Sequence, residues 1–241
     1  MVYMRQIAVV TGASSGIGRS VAELLASKGY DLVLLARRIQ ILEDLVSQLQ
    51  TRYQSKAIFS YVDLSNPDSI SQAIKFVGSH YDHVDVLVNA AGHGKGVGPI
   101  WQAEDSDILD QIGTNLTGTI LFTKSCLRLM RSGHVFFIGS VFSSRILPNW
   151  SIYAATKHAL RAFSNILRQE LQGIKVTTIH PGSVDTEFSY VASNYKHRNQ
   201  WPYQPLQPEN IAQTILWILD QPSHVDVTEI EIRPTDERQL P

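Results

Sequence analysis

Apolar and polar positions along the chain follow two alternating rhythms. Short runs at residues 6–10, 31–35, 57–62, 84–88, 134–138, 175–179 and 228–233, most of them almost wholly apolar, have the length and composition of buried strands. Between them lie longer stretches with apolar residues three or four positions apart. These predict helices over 16–28, 39–52, 67–80, 151–171 and 208–219, with two helical segments inside 106–130. Ile17, Val21, Leu24 and Leu25 share one face of the first helix, and Ile41, Leu42, Leu45, Val46 and Leu49 one face of the second. Pro67 falls in the first turn of its helix, where its missing N–H costs nothing.

Alternation of apolar strands with helices predicts a mainly parallel sheet of about seven strands, buried on both faces. Right-handed crossovers then give a doubly wound, three-layer α/β/α sandwich. The length of 241 residues and the 44% hydrophobic content fit a single domain. Only residues 187–207, rich in Tyr, Asn, Gln and Pro, show no clear period. A segment of that length in a compact domain reads as a substrate-binding loop or lid.

Composition narrows the partners. A formal net charge of -1 gives no sign of a nucleic-acid or anionic-membrane partner. One cysteine, Cys126, cannot form an intrachain disulfide and points to a reducing compartment. Residues 1–6 are too short and polar for a secretory h-region, and no apolar run approaches the roughly 18 residues that span a bilayer. A cytoplasmic protein away from membranes is expected. The eight histidines show no metal-ligand spacing, so no metal is expected. No Gly-x-x-x-x-Gly-Lys-Ser/Thr loop is present, which argues against ATP hydrolysis.

The first strand runs into Thr11-Gly12-Ala13-Ser14-Ser15-Gly16-Ile17-Gly18 and then a helix. Glycines let the backbone approach a pyrophosphate, and the new helix offers free N–H groups and its positive end. Gly12, Ser14, Ser15, Gly16, Ile17 and Gly18 are therefore candidate cofactor residues. The second strand ends Ala36-Arg37-Arg38. It lacks the acidic residue that would take the adenosine ribose of NAD, and its two arginines suit the extra phosphate of NADP. Tyr153 and Lys157 lie at i and i+4 of one helix and share a face. An ammonium ~4 Å from a phenolate, at an effective dielectric of about 20, contributes about 4 kcal/mol before desolvation. Lys157 is thus expected to lower the ordinary tyrosine pKa of about 10. Ser140 follows the fifth strand, thirteen positions before Tyr153, at the edge where such sheets bind ligands.

Taken together, these marks resemble the short-chain dehydrogenase/reductase family over about residues 5–234. They are the glycine turn, Asp63 after the third strand, Asn89-Ala90-Ala91-Gly92 after the fourth, Asn115 in a mid-chain helix, Ser140, Tyr153-x-x-x-Lys157, and Pro181-Gly182 with Thr186. The resemblance implies a Rossmann-type fold, NADP(H) as cofactor, and interconversion of a carbonyl and an alcohol on a small-molecule substrate. It makes Tyr153 the general acid/base. Lys157 lowers the Tyr153 pKa and holds the nicotinamide ribose, and Ser140 orients the substrate oxygen. The backbone at Asn115 would hold a water linking Lys157 to solvent. Asp63 would meet the adenine amino group. Asn89 would brace the central strands beside the cofactor or be a plain structural hydrogen bonder. Thr186 would bind the nicotinamide carboxamide or simply cap a helix. Two departures stand out. Ala90 replaces an Asn common in relatives, and Ser15 replaces a basic residue found in some that prefer NADP, so an NAD-preferring dehydrogenase stays open.

Competing classes are an NADP-binding regulatory or scaffold protein without turnover, and an enoyl reductase or sugar-nucleotide epimerase of related fold. Retention of Ser140, Tyr153 and Lys157 opposes the first; the Tyr–Lys spacing and the chain length oppose the others. Segments 94–99, 141–150 and 188–203 are expected to line the substrate end. Their Phe142, Trp150, Phe188, Tyr190, Tyr195, Trp201 and Tyr203 suit an apolar or planar carbonyl compound, or else anchor a lid or subunit contact. Lys196, His197 and Arg198 would meet an acidic substrate or be solvated. Ser143, Ser144 and His180 read as structural, and His93 and Lys95 as bordering the cleft. Residues 227–234 look more like the branch acting on small hydroxy acids, sugars or miscellaneous carbonyls than like the acyl-carrier-protein reductases. Relatives commonly form homodimers or homotetramers through the helices containing 115–130 and 151–171.

Overall fold

The computed structural model describes residues 5–192 and 203–236. Seven strands form one sheet: β1 (Ile7–Thr11), β2 (Asp31–Ala36), β3 (Ala57–Tyr61), β4 (Val86–Asn89), β5 (Gly133–Ile138), β6 (Ile174–Pro181) and β7 (Glu229–Ile232). Their order is β3-β2-β1-β4-β5-β6-β7, and every pairing is parallel. The helices are α1 (Gly16–Ser27), α2 (Ile39–Tyr53), α3 (Pro67–His80), α4 (Asp105–Ile112), α5 (Thr119–Cys126), α6 (Ser151–Glu170), α7 (Phe188–Ala192) and α8 (Pro208–Leu219). This is the doubly wound α/β/α sandwich that the alternation predicts. Strand order reverses between β1 and β4, the place where such sheets open a crevice.

Successive strand residues serve opposite faces. Ala8 and Val10 of β1 join Leu32, Leu34 and Phe136 under α1, α2 and α8, where Leu25, Leu45 and Ile215 pack. Ile7 and Val9 join Val33, Leu87 and Phe137 under α3, α5 and α6, with Val77, Phe122 and Leu160. Because both faces are buried, the central strands show no polar alternation. Asn66 caps α3, its side-chain oxygen accepting from the N–H groups of Asp68 and Ser69 at 2.9 and 3.2 Å, ahead of Pro67.

Two details depart from the expectation. The stretch between α4 and α5 is not a break between segments but a π-helical turn, Gly113–Gly118, so the backbone stays helical throughout. Its last residue passes against the chain leaving β3, and a Cβ on Gly118 would overlap the Leu64 carbonyl oxygen. The segment expected to be an irregular loop begins with α7, five residues being too few to establish a period. Tyr195, Lys196, His197, Arg198 and Trp201 lie outside the described residues. Among the described residues, no helix is long and apolar enough to cross a membrane.

The two helical glycines Gly118 and Gly78 should respond oppositely to alanine. Gly118→Ala forces backbone apart and is expected to lower stability by about 2–4 kcal/mol. Gly78→Ala finds only Leu129 methyls, at 3.8 Å or more, and should raise it by about 0.5–1 kcal/mol. Urea midpoints of both variants check this; a neutral Gly118→Ala would contradict the close approach.

Candidate functional site

Because all seven strands run the same way, the loops leaving six of them meet at one edge. They enclose a cleft of about 780 Å³. Gly12–Gly18 follow β1, Arg37 and Arg38 follow β2, Asp63 follows β3 and Gly92 follows β4; Ser140 follows β5, and Pro181 and Gly182 close β6. Tyr153 and Lys157 reach the cleft from α6, and Thr186 from the segment before α7. Asn89 and Asn115 are buried and do not line it.

At one end the glycine turn is drawn close to the chain after β4. Gly12 has φ +69°, and a Cβ on it would stand 2.8 Å from the Ala91 backbone; one on Gly18 would stand 2.5 Å from the Gly12 carbonyl oxygen. Substituted residues would fill the cradle. Helix α1 begins there with no side chain capping its first N–H groups and no acid in its first turn. Its donors and positive end are left to an anion in the cleft, which fits a pyrophosphate. Arg38 donates through Nε to Ser14 Oγ at 3.2 Å and pairs through Nη1 with Glu187 Oε2 at 2.8 Å. Arg37 has no ion pair among the described residues; its charge is felt by His93 and Asp110, helping to lower both their pKa values. Asp63 lines the cleft, with Oδ1 accepting from the N–H and hydroxyl of Ser65 at 2.9 and 2.8 Å. Thr186 Oγ1 accepts from Phe188 N at 3.2 Å just ahead of α7, and Thr186 lines the cleft.

At the other end stands Tyr153, 8% exposed, on the buried face of α6. Burial pushes its hydroxyl up to about 12, and the hydrogen bond with the Ser140 side chain works against that rise. Lys157 is pushed down to about 8 by its own burial. Its Nζ donates to the Ile138 carbonyl at 2.8 Å and lies 5.6 Å from the centre of the Tyr153 ring. The expected depression of the Tyr153 pKa by Lys157 is therefore corrected for the protein alone. Helical spacing puts the two on one face, but desolvation dominates and favours the neutral form of both.

Ser140 is held from three directions. Its Oγ accepts from Phe142 N at 3.1 Å, and its N–H donates to Ser143 Oγ at 3.3 Å. His180 Nδ1 lies 3.2 Å from its carbonyl oxygen. Ser143 is thus structural in a definite way, completing a capping box around the turn Val141–Ser143; the Ser-x-x-Ser spacing after a strand is the signal for it. Asn115, on the π-helical turn, clamps the backbone beside Gly92: its Oδ1 accepts from His93 N at 2.9 Å and its Nδ2 donates to His93 O at 2.8 Å. Both polar atoms of the Asn89 side chain are buried without a hydrogen-bond partner among the described residues. His93 borders the cleft with Nε2 3.3 Å from Asp110 Oδ2, and Lys95 Nζ reaches the same oxygen at 3.2 Å. Phe142, Trp150 and Phe188 surround Tyr153, with ring centroids 5.7, 5.7 and 5.1 Å from its own.

A family model described as short chain dehydrogenase matches residues 6–196. An oxidoreductase of Staphylococcus epidermidis is 34% identical over 242 residues, covering 95% of this chain and 97% of the relative. Among solved structures, the alcohol dehydrogenase of the archaeon Thermococcus sibiricus complexed with 5-hydroxy-NADP is 28% identical with a TM-score of 0.89, covering 96% of this chain and 97% of that one. The closed form of serine dehydrogenase complexed with NADP+ is 29% identical with a TM-score of 0.87, covering 95% of each chain.

The buried Lys157 gives a pH signature. Folded, it sheds its proton near pH 8; unfolded, it keeps it to about 10.5. Between those values the unfolded chain binds more protons, so wild-type stability gains as pH rises. The difference in urea stability between wild type and Lys157→Met should move in favour of wild type from pH 8 to 10.5, by about 1–3 kcal/mol. A difference that stays flat would contradict the buried, depressed amine.

Proposed function

The chain belongs to the short chain dehydrogenase family, and from that premise we propose that it interconverts a carbonyl and an alcohol with NADP(H), Tyr153 moving the proton. The observation that carries this reading is the meeting of Ser140, Tyr153 and Lys157 in the same cleft as the glycine turn of β1. The names of two solved neighbours, an alcohol and a serine dehydrogenase with NADP-type ligands, support it.

Residues 12–18 would hold the pyrophosphate on the open amides of α1. Arg37 would take the 2′-phosphate, its guanidinium having no ion pair among the described residues and no acid standing at Ala36. Asp63 would receive the adenine amino group on its second carboxylate oxygen. Pro181, Gly182 and Thr186 would border the nicotinamide. Lys157 would turn from the Ile138 carbonyl to the ribose hydroxyls. When bound, the cofactor supplies or accepts the hydride at the substrate carbon.

In reduction, Ser140 Oγ orients the carbonyl oxygen and Tyr153 Oη gives it a proton. Burial raises the Tyr153 pKa to about 12, so giving up that proton is favoured only once positive charge from Lys157 stands beside the phenolate that forms. In oxidation Tyr153 accepts the proton from the alcohol, a step favoured once cationic charge from Lys157 and oxidised nicotinamide stands beside the phenolate. Asn115 serves by fixing the backbone at Gly92 and His93. The neutral Tyr153 and the aromatic residues around it limit water at the reacting centre. We read the chain as one domain; the substrate-binding loop expected at 187–207 lies in part, at 193–202, outside the described residues. We also read it as a cytoplasmic homodimer or homotetramer; exposed Leu109, Ile112 and Ile166 on α4 and α6 suit a subunit contact.

Tyr153→Phe should keep the fold and NADPH affinity while turnover falls about 10²–10⁴-fold; near-normal turnover would remove Tyr153 from the chemistry. Arg37→Ala should raise the KM for NADPH about 10- to 100-fold, and far more than that for NADH. Equal changes for both cofactors would overturn the assignment to NADP.

A further inference from the structure

Six basic side chains line the cleft: Arg37, Arg38, His93, Lys95, Arg145 and Lys157. Four have their charge or donor engaged. Arg38 pairs with Glu187, Lys95 with Asp110, His93 faces the same Asp110, and Lys157 donates to the Ile138 carbonyl. Among the described residues, Arg37 and Arg145 have neither an ion pair nor a side-chain hydrogen bond. Arg37 stands at the end of β2, where the cofactor phosphate is placed. Arg145 stands on the other side of the cleft, in the loop after β5 that begins with Ser140.

We propose that Arg145 binds a carboxylate on the substrate, so that the enzyme acts on oxo acids and the corresponding hydroxy acids with an apolar or aromatic skeleton. The inference rests on the carbonyl–alcohol reading above and adds the substrate class. Arg145 N donates to the Val141 carbonyl at 3.0 Å, which folds the chain back so that Arg145 lies one turn from the segment holding the Ser140 hydroxyl. Its side chain is half-buried and shares the cleft wall with Phe142, Leu147 and Trp150. A cation in such a wall would ordinarily be paired by an acid of the protein. The acids lining the cleft are Asp63, tied to Ser65 after β3, and Glu187, tied to Arg38. Among the described residues, the substrate end therefore carries a positive charge with no protein counter-charge.

Guanidinium geometry favours a planar carboxylate held by two parallel hydrogen bonds. One unpaired arginine matches the single negative charge of a carboxylate, and Lys95 is already neutralised by Asp110. The rings of Phe142, Trp150 and Phe188 around Tyr153 would take the carbon skeleton between the reacting carbonyl and the acid.

The test compares phenyl-substituted 2-, 3- and 4-oxo acids with their methyl esters, using NADPH oxidation by wild type, Arg145→Met and Arg145→Lys. At the best chain length, wild type should show a kcat/KM at least about tenfold higher for the acid than for its ester. Arg145→Met should erase that ratio, lowering kcat/KM for the acid about 10- to 100-fold more than for the ester, chiefly through KM. Arg145→Lys should fall between, keeping the charge and losing the fork. Esters turned over as well as acids at every length would overturn the carboxylate site and leave carbonyl reduction standing. Equal losses on acid and ester in Arg145→Met would do the same. No NADPH oxidation with any acid or ester would overturn both. The wild-type ratio decides whether or not the variants fold.

Discussion

The uniform direction of the seven strands is the constraint on which everything else depends. A parallel sheet sends every carboxyl end to one edge, so residues far apart in sequence arrive in one cleft without any loop having to travel. Gly12 and Ala91 meet because β1 and β4 are neighbours, and Ser140 lies beside His180 because β5 and β6 are. Covering both faces with helices makes this edge rigid. Ala8 and Val10 are pinned from one side and Ile7 and Val9 from the other, so the glycine turn has a fixed base. Helix α6 then adds Tyr153 and Lys157 from above β5 and β6, and Phe188 at the start of α7 comes up against Tyr153.

Burial is the second determinant, and it acts against charge. Tyr153 and Lys157 are both driven toward their neutral forms, one upward and one downward. In the protein alone the lysine serves the Ile138 carbonyl rather than the phenol. Shedding the tyrosine proton would create a phenolate in a space that disfavours charge. Added positive charge in the same low-dielectric space would act strongly on that balance. Spacing along a helix does not convey this competition between burial and charge.

Much of the architecture is legible in the chain because its signals are local and repeated. Apolar strands, helical faces, Pro67 and the glycine turn each reflect a neighbourhood of a few residues. The site residues are legible because they fall in register with a family pattern, and most of them do line one cleft. What escapes is non-local or too short. Five residues make α7, below any detectable period. The Arg38–Glu187 pair joins positions 149 apart. Asn89 and Asn115 are polar residues close in sequence to cleft-lining positions, but only the fold shows that both lie behind the cleft wall, Asn115 holding the backbone of His93. Arg145 is a commonplace loop arginine in sequence, and its meaning comes from the acids that the folded cleft does not bring to it.

The chemistry proposed for this edge is hydride transfer between a nicotinamide and a carbonyl carbon. The most direct measurement is to supply NADPH deuterated at C4, in separate experiments for each face, with a ketone or oxo acid that is turned over, and to locate the label by NMR. One deuterium is expected on the carbinol carbon of the alcohol, delivered from one face only, with the hydroxyl proton coming from solvent. An unlabelled alcohol, or deuterium on a carbon next to the carbonyl, would contradict it.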